Sequence, residues 1–400
     1  MLGLKAMIDS LVKKRRALSL NSKLKEQVYL LAFGVYVAFN FLAGTMYIVL
    51  VPSNIIRIGQ LVGVLIAVIK IFFFDIYDDK KEVLLISILG LFLWVCSLNA
   101  EVMDLFYYYV LVVAARGVDF RRILRLFIGI ISVGTVVVIV SAKLGIIIGL
   151  TNSRDGATAI RYALGFVYTT DFAARIFYLL LTYVTFRKFK LLFSEYIIAI
   201  SMVAFVYIVT DTKLDTLLML LIIMVALFKK YITKALIVMK AKVINILTVL
   251  SILGIIGLTY LYDKTNILLV IINKILTRRL EFGHAAFTKY NVTLFGQEVV
   301  QNGNGGIHKG YFEYFYIDSS YLRILMMNGF VIFIIVLIFL LSLSSNFINK
   351  KMYSLEIMLL FVLLSSLIDQ HLIEISFNII FIAFFANTNF FEEGSDSEIE

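Results

Sequence analysis

Arginines, histidines, one well-placed carboxylate and a run of aromatics gather in the only long polar stretch of an otherwise apolar chain, residues 263–318. Arg278 and Arg279 are adjacent, His284 and His308 follow, and Tyr311, Phe312, Tyr314, Phe315 and Tyr316 lead into Ile317-Asp318-Ser319-Ser320-Tyr321-Leu322. Guanidinium forks match phosphate oxygens two at a time and keep their charge when partly desolvated, so these arginines point to an anionic ligand. A carboxylate can relieve a hydroxyl of its proton, and histidine titrates in the range that such work needs. Aromatic faces stack on sugar rings. A smaller polar stretch, about 149–168, repeats the theme with Arg154, Asp155, Arg161 and Tyr162.

Each feature also has a plainer account. The arginines can snorkel to headgroups or pair with Asp155 and Glu281, the aromatics can form an interfacial belt, and Asp318 can cap the apolar helix that follows it. Asp171 and Arg175 stand four apart, as neighbours on a helix do, and read as a pair neutralising each other at the membrane edge. Thr210-Asp211-Thr212-Lys213-Leu214-Asp215 reads as a solvated connection with local ion pairing. Gln301-Asn302-Gly303-Asn304-Gly305-Gly306 reads as a mobile, turn-rich loop.

The elements that hold these residues are set by composition. The chain is 61% hydrophobic and 16% charged, where a soluble domain carries about a quarter charged residues. The mean hydropathy is +0.96. Long continuous apolar stretches, rather than alternating ones, predict helices that cross a bilayer. About twelve spans are expected, over 28–50, 55–75, 83–98, 102–115, 126–148, 169–186, 191–209, 214–228, 243–262, 319–346, 353–369 and 374–391. The expected organisation is a basic cytoplasmic segment (1–27), nine spans over 28–262, the large outer loop at 263–318, three spans over 319–391 and an acidic cytoplasmic tail (392–400).

Basic clusters such as Lys13-Lys14-Arg15-Arg16, Arg121-Arg122 and Lys229-Lys230 fall on the connections this topology places inside, with both termini. The net charge of +10 is therefore a topology signal and not a nucleic-acid footprint. Against that rule the two polar stretches place arginines outside, and the three histidines, His284, His308 and His371, fall on the same face. Cys96 is the single cysteine, which excludes an intramolecular disulfide. Nucleotide-binding, zinc-protease and hydrolase motifs are absent. Charges within the apolar stretches are few (Lys70, Asp75, Glu101, Asp104 and Lys143), which argues against an ion-coupled transporter.

Arg161-Tyr162-Ala163-Leu164-Gly165-Phe166, followed by Thr170-Asp171-Phe172-Ala173-Ala174, resembles the first outer-loop signature of Wzy-type polysaccharide polymerases. Arg279, Tyr290, Leu294-Phe295-Gly296-Gln297, Tyr311, Ile317-Asp318-Ser319-Ser320-Tyr321-Leu322, Leu325 and Asn328-Gly329 resemble the second. The likeness covers about 160–330, with Thr169 where relatives often carry proline. It implies an all-α, GT-C-like polytopic membrane protein of the bacterial cytoplasmic membrane with its active loops on the outer face. It implies transfer of a growing glycan from undecaprenyl diphosphate to the non-reducing sugar of an incoming lipid-linked repeat unit. The pathway is that of capsule, exopolysaccharide or O-antigen.

On that resemblance Arg161, Arg278 and Arg279, with Arg154 behind them, would hold the diphosphate, and Tyr162, Tyr311, Tyr314 and Tyr321 the glycan. Asp318 would be the base, because related O-antigen ligases place His-Asn-x-x-Leu where this chain has Asp318-Ser319-Ser320-Tyr321-Leu322. His308 is the second choice, ahead of His284 and His371. No metal or other cofactor is implied. A chain-length regulator and a flippase of the same pathway are the expected protein partners, and no nucleic acid is. Two alternatives stand beside this reading: a ligase-like glycan transferase, and a flippase or exporter of lipid-linked oligosaccharide.

Overall fold

The computed structural model describes residues 21–77, 79–153, 160–307 and 313–393. Helices dominate: α1 (Ser22–Ala43), α2 (Ser53–Phe74), α3 (Lys80–Asn99), α4 (Asp104–Ala114), α5 (Phe120–Lys143), α6 (Thr169–Phe186), α7 (Phe193–Thr210), α8 (Lys213–Leu227) and α9 (Lys229–Tyr260). After them come α10 (Ile267–Ile275), α11 (Arg279–Lys289), α12 (Ser320–Arg323), α13 (Phe330–Asn349) and α14 (Tyr353–Ser366). One small hairpin joins β1 (Thr151–Ser153) to β2 (Ile160–Tyr162), with Asn152 opposite Arg161. Among the described residues seven helices, α1, α2, α3, α5, α7, α9 and α13, are long and apolar enough to cross a membrane. Their lengths suit a hydrocarbon core of about 30 Å, and the protein is membrane-embedded. Helices α4 and α14 are shorter apolar helices.

The interior is built by the elements that show no outward face. Every residue from Asp171 to Thr182 of α6 is buried, and α14 and the segment after it are buried almost throughout. Burial on every side shows that protein, not lipid, encloses them. Helices α3, α7 and α9 turn Leu85, Leu91, Ile198, Ile208, Leu247 and Leu250 outward, as lipid-facing helices do.

Two expected spans are corrected. The stretch 374–391 is not a membrane-crossing helix: it is made of 3₁₀ turns at His371–Ile373, Ile380–Phe384 and Asn389–Phe391 with irregular chain between them. Ile375, Phe377, Ile379, Ile380 and Ile382 are buried, so the apolar run reports burial inside the protein. Irregular backbone at this depth is tolerated only where protein satisfies its polar groups. Asn378 does much of that: its Nδ2 donates to the Leu372 carbonyl (2.7 Å), its Oδ1 accepts from the Ile380 N–H (3.1 Å), and its carbonyl accepts from the Tyr108 hydroxyl (2.6 Å).

The stretch 319–346 is not one helix either. It runs as α12, a π turn over Ile324–Asn328, a break at Gly329 (φ 93°) and then α13. At the break the loop after α11 crosses main chain on main chain. The Gln297 N–H donates to the Met327 carbonyl (2.9 Å) and the Phe330 N–H to the Thr293 carbonyl (2.8 Å). A Cβ on Gly329 would stand 2.4 Å from the Gly296 nitrogen, so glycine is required for the approach as well as for the positive φ. The two motif pieces that lie 30 residues apart in sequence thus touch. The span expected at 243–262 is the later part of α9, which starts at Lys229 and bends at Lys240 (φ 54°, ψ 162°).

Candidate functional site

At one end of the bundle a cleft of about 250 Å³ is lined by Arg161, Lys213, Asp215, Arg279, Tyr314 and Asp318, together with Tyr168, Asp171, Tyr316 and Gln370. Five segments separated in sequence supply it. Strand β2 alternates, so Arg161 turns inward and buried while Tyr162 turns outward and exposed. The Arg161 Nε donates to the Thr210 carbonyl at the end of α7 (2.6 Å). Arg279, the first residue of α11, is held in the same way: its Nε donates to the Ile368 carbonyl (2.5 Å), and its Nη1 reaches the Thr277 hydroxyl. Both guanidinium groups are thus anchored through Nε to a main-chain carbonyl from another part of the fold.

Asp318 stands just before α12. The residue that caps α12 is Ser319, which makes no side-chain capping bond, and α12 begins with the Ser320 N–H donating to the Asp369 carbonyl (3.1 Å). The Asp318 carboxylate therefore does not cap the helix, and it lines the cleft. Burial raises its pKa above the usual carboxylate range and Asp369 adds to this, while Arg279, Arg323 and His371 pull it down.

The turn Ile368–Glu374 is the floor on which these groups converge. Ile368 receives Arg279, and Asp369 receives both the N–H and the hydroxyl of Ser320. The Gln370 Oε1 accepts from the Tyr316 hydroxyl and from Arg323 Nη1 (3.2 Å). Gln301 closes the other side, its Oε1 accepting from the Ile317 N–H (2.9 Å) and from Arg323 Nη1 (3.1 Å). Behind the floor His371 is buried, with Nδ1 2.9 Å from Glu374 Oε2 and Nε2 3.5 Å from Asp369 Oδ1 and 4.0 Å from Asp171 Oδ1. Its ring stacks on Phe377 at 3.6 Å.

The expected site residues divide as follows. Arg161, Arg279, Tyr314 and Asp318 meet in the cleft. Arg278 does not line it: in left-handed backbone (φ 67°), its side chain bonds Glu281 (3.1 Å) and lies over Phe282. Tyr162 is exposed outside it, and Tyr321 is buried with its hydroxyl on the Leu363 carbonyl (3.1 Å), facing an apolar groove beside α9 and α14. His284 turns to the carbonyls of Thr259 and Tyr260. Arg154, His308 and Tyr311 lie outside the described residues, as does most of each terminal segment.

Asp171 and Arg175 form no ion pair. The Arg175 guanidinium is buried over the rings of Phe377 (4.2 Å), Phe41 (4.7 Å) and Phe166 (5.5 Å), a cation–π cage, and Asp171 faces His371. The connection 210–215 is not a solvated loop: Thr210, Thr212 and Asp215 are buried, and it forms one wall of the cleft. Asp215 Oδ1 is buried without a hydrogen-bond partner. The glycine-rich loop is docked too. A Cβ on Gly305 would lie 2.4 Å from the Tyr168 ring, and the Asn302 N–H donates to the Phe315 carbonyl (2.8 Å). Sequence reasoning passed over Tyr168, Lys213, Asp215 and Gln370. The one usable signal was a polar run at the end of an apolar helix where a short turn would suffice.

No protein-family model, characterised protein or solved structure matches this chain. Fold and site together define a class, a helical membrane-embedded protein whose described residues form a polar cleft at an end of the bundle.

Proposed function

We propose that the chain is a Wzy-type polymerase, a glycosyltransferase that joins lipid-linked oligosaccharide repeat units at the outer face of a bacterial cytoplasmic membrane. The observation that carries the reading is the meeting of Arg161, Lys213, Arg279 and Asp318, from separate segments, in a cleft that also offers aromatic faces. In this mechanism the hydroxyl oxygen of the acceptor sugar attacks the anomeric carbon of the donor. The bond from that carbon to the lipid diphosphate breaks, and the diphosphate leaves with the electron pair. Arg161, Arg279 and Lys213 stabilise the charge that grows on it. The hydroxyl proton passes to Asp318. Tyr168, Tyr314 and Tyr316 give the sugars stacking surfaces, and the open acceptor on Asp215 takes a sugar hydroxyl, since a buried polar atom without a partner is costly until a ligand supplies one. A flippase would need its cations along a passage between helices. Here they are gathered at one end of the bundle, which favours transfer over transport.

The test is Arg279→Ala and Asp318→Ala in the native host, with membrane levels matched and the surface glycan resolved on a gel. Each variant is expected to slow chain growth by about 10²-fold or more and leave single repeat units. Long chains persisting in both would overturn the site, and repeat units accumulating on the cytoplasmic side would favour the flippase.

A further inference from the structure

Helices α6 and α8 run away from the cleft and α7 runs back toward it, so their other ends meet at the opposite end of the bundle. There, Lys190, Lys229 and Lys230 line a second, open pocket of about 460 Å³ with Tyr196, Thr233 and Glu393. Among the described lining residues Glu393 supplies a carboxylate, 3.8 Å from Lys229. More positive charge stands close by and is held rigidly. Arg121 and Arg125 lie over Phe186, and Arg121 and Lys188 over Phe390. Phe186 and Phe390 are three or four residues from the pocket-lining Phe189, Lys190 and Glu393.

The rim is apolar. Leu192 is 61% exposed, Phe193 82% and Tyr231 70%, with Phe228 beside them. The positive-inside rule accounts for an excess of lysine on this side but does not require a shared pocket. These three lysines share one concavity whose edge presents bare hydrocarbon and aromatic faces to the bilayer. The first part of α9 has the matching pattern. Thr233 and Leu236 face the protein, Lys230 and Lys234 stand on an adjoining side, and Tyr231 and Val238 point away from the core. The bend at Lys240 separates this stretch from the membrane-crossing remainder. A basic, one-sided helix of this kind rests at the headgroup level.

We propose that this pocket binds the phosphate of a net-anionic phospholipid, with the acyl chains lying along Leu192, Phe193, Phe228 and Tyr231. The site is separate from the cleft and does not depend on the glycosyltransferase reading. A free phosphate shares the headgroup's chemistry but cannot use the apolar rim.

The test is native mass spectrometry of the full-length protein in mild detergent, titrated with phosphatidylglycerol, phosphatidylcholine or inorganic phosphate. Phosphatidylglycerol should be retained over phosphatidylcholine, and the triple change Lys190→Gln, Lys229→Gln, Lys230→Gln should cost about five-fold in affinity per lysine. The triple Lys→Arg variant should keep the preference, which separates lost charge from misfolding. Lys213→Gln, in the cleft, should leave it unchanged. Equal retention of the two lipids by the unmodified protein would overturn the proposal. So would displacement of phosphatidylglycerol by millimolar inorganic phosphate, which would make the site one for a soluble anion.

Discussion

The two ends of the bundle treat positive charge differently. At the end opposite the cleft, cations away from the lysine-lined pocket are spent on nearby acids and rings. Lys70 and Lys25 both reach Asp75 at 2.7 Å, Arg116 bonds Glu82, Arg122 bonds Glu26 at 2.6 Å and Arg187 bonds Glu195 at 3.0 Å. At the cleft end, Arg161 and Arg279 each donate through Nε to a main-chain carbonyl oxygen, which fixes the direction of the guanidinium. The contrast separates cations that tie helices together through acids from cations that line a cleft. Asp318 belongs with the second kind: it is buried beside Arg279, it lines the cleft, and its neighbouring helix is capped without it.

That contrast can be broken at three places. The largest effect is expected at Asp318. Asp318→Asn should lower transfer by about 10²–10⁴-fold in an assay with lipid-linked repeat units. Because burial raises the Asp318 pKa, and the charged form accepts the proton, activity of the unmodified enzyme should fall with acid, starting at a higher pH than an ordinary carboxylate allows. A rate that stays flat down to about pH 4 would rule Asp318 out as the base.

Lys70 tests the other end. Both it and Asp75 are fully buried, and removing one partner of such a pair costs about 3 kcal/mol, the lower end being apt because Lys25 remains. Lys70→Met should therefore lower the thermal midpoint in detergent and leave activity per folded molecule intact. Shortened glycan at equal protein level would show that the two ends are coupled.

Arg278 sharpens the contrast most finely, being chemically identical to its neighbour Arg279 but paired with Glu281 and 58% exposed. Exposed pairs contribute little, so Arg278→Ala should change chain length and rate by no more than about two-fold. A loss comparable with that of Arg279→Ala would move the anion site outward along the loop.

Much of this was legible in the chain, for physical reasons that also explain what was not. Long apolar stretches announce helices because a bilayer forbids open backbone, and α1, α2, α3, α5, α7 and the later part of α9 lie where hydropathy put them. Hydropathy does not distinguish lipid from protein interior, so Ile375–Phe385 read as a span when it is core. Residue type named Arg161, Arg279, Tyr314 and Asp318 as candidates but could not say where side chains point. Arg278 and Arg279 differ only by one backbone step through left-handed geometry, and Tyr162 differs from Arg161 only by the alternation of a strand. The wall at 210–215 was missed because its role exists only once α7 and α8 meet β2 and the 368–374 turn.

The irregular chain after α14 bears on how the protein is made. A segment without helical hydrogen bonds has no stable state of its own in hydrocarbon, and this one relies on Tyr108 of α4 and on burial against its neighbours. It can settle only when the earlier helices already stand assembled in the bilayer. The turn that receives Arg279 and Ser320 belongs to the same late stretch. The floor of the cleft is therefore completed only after the helices that enclose this segment are in place.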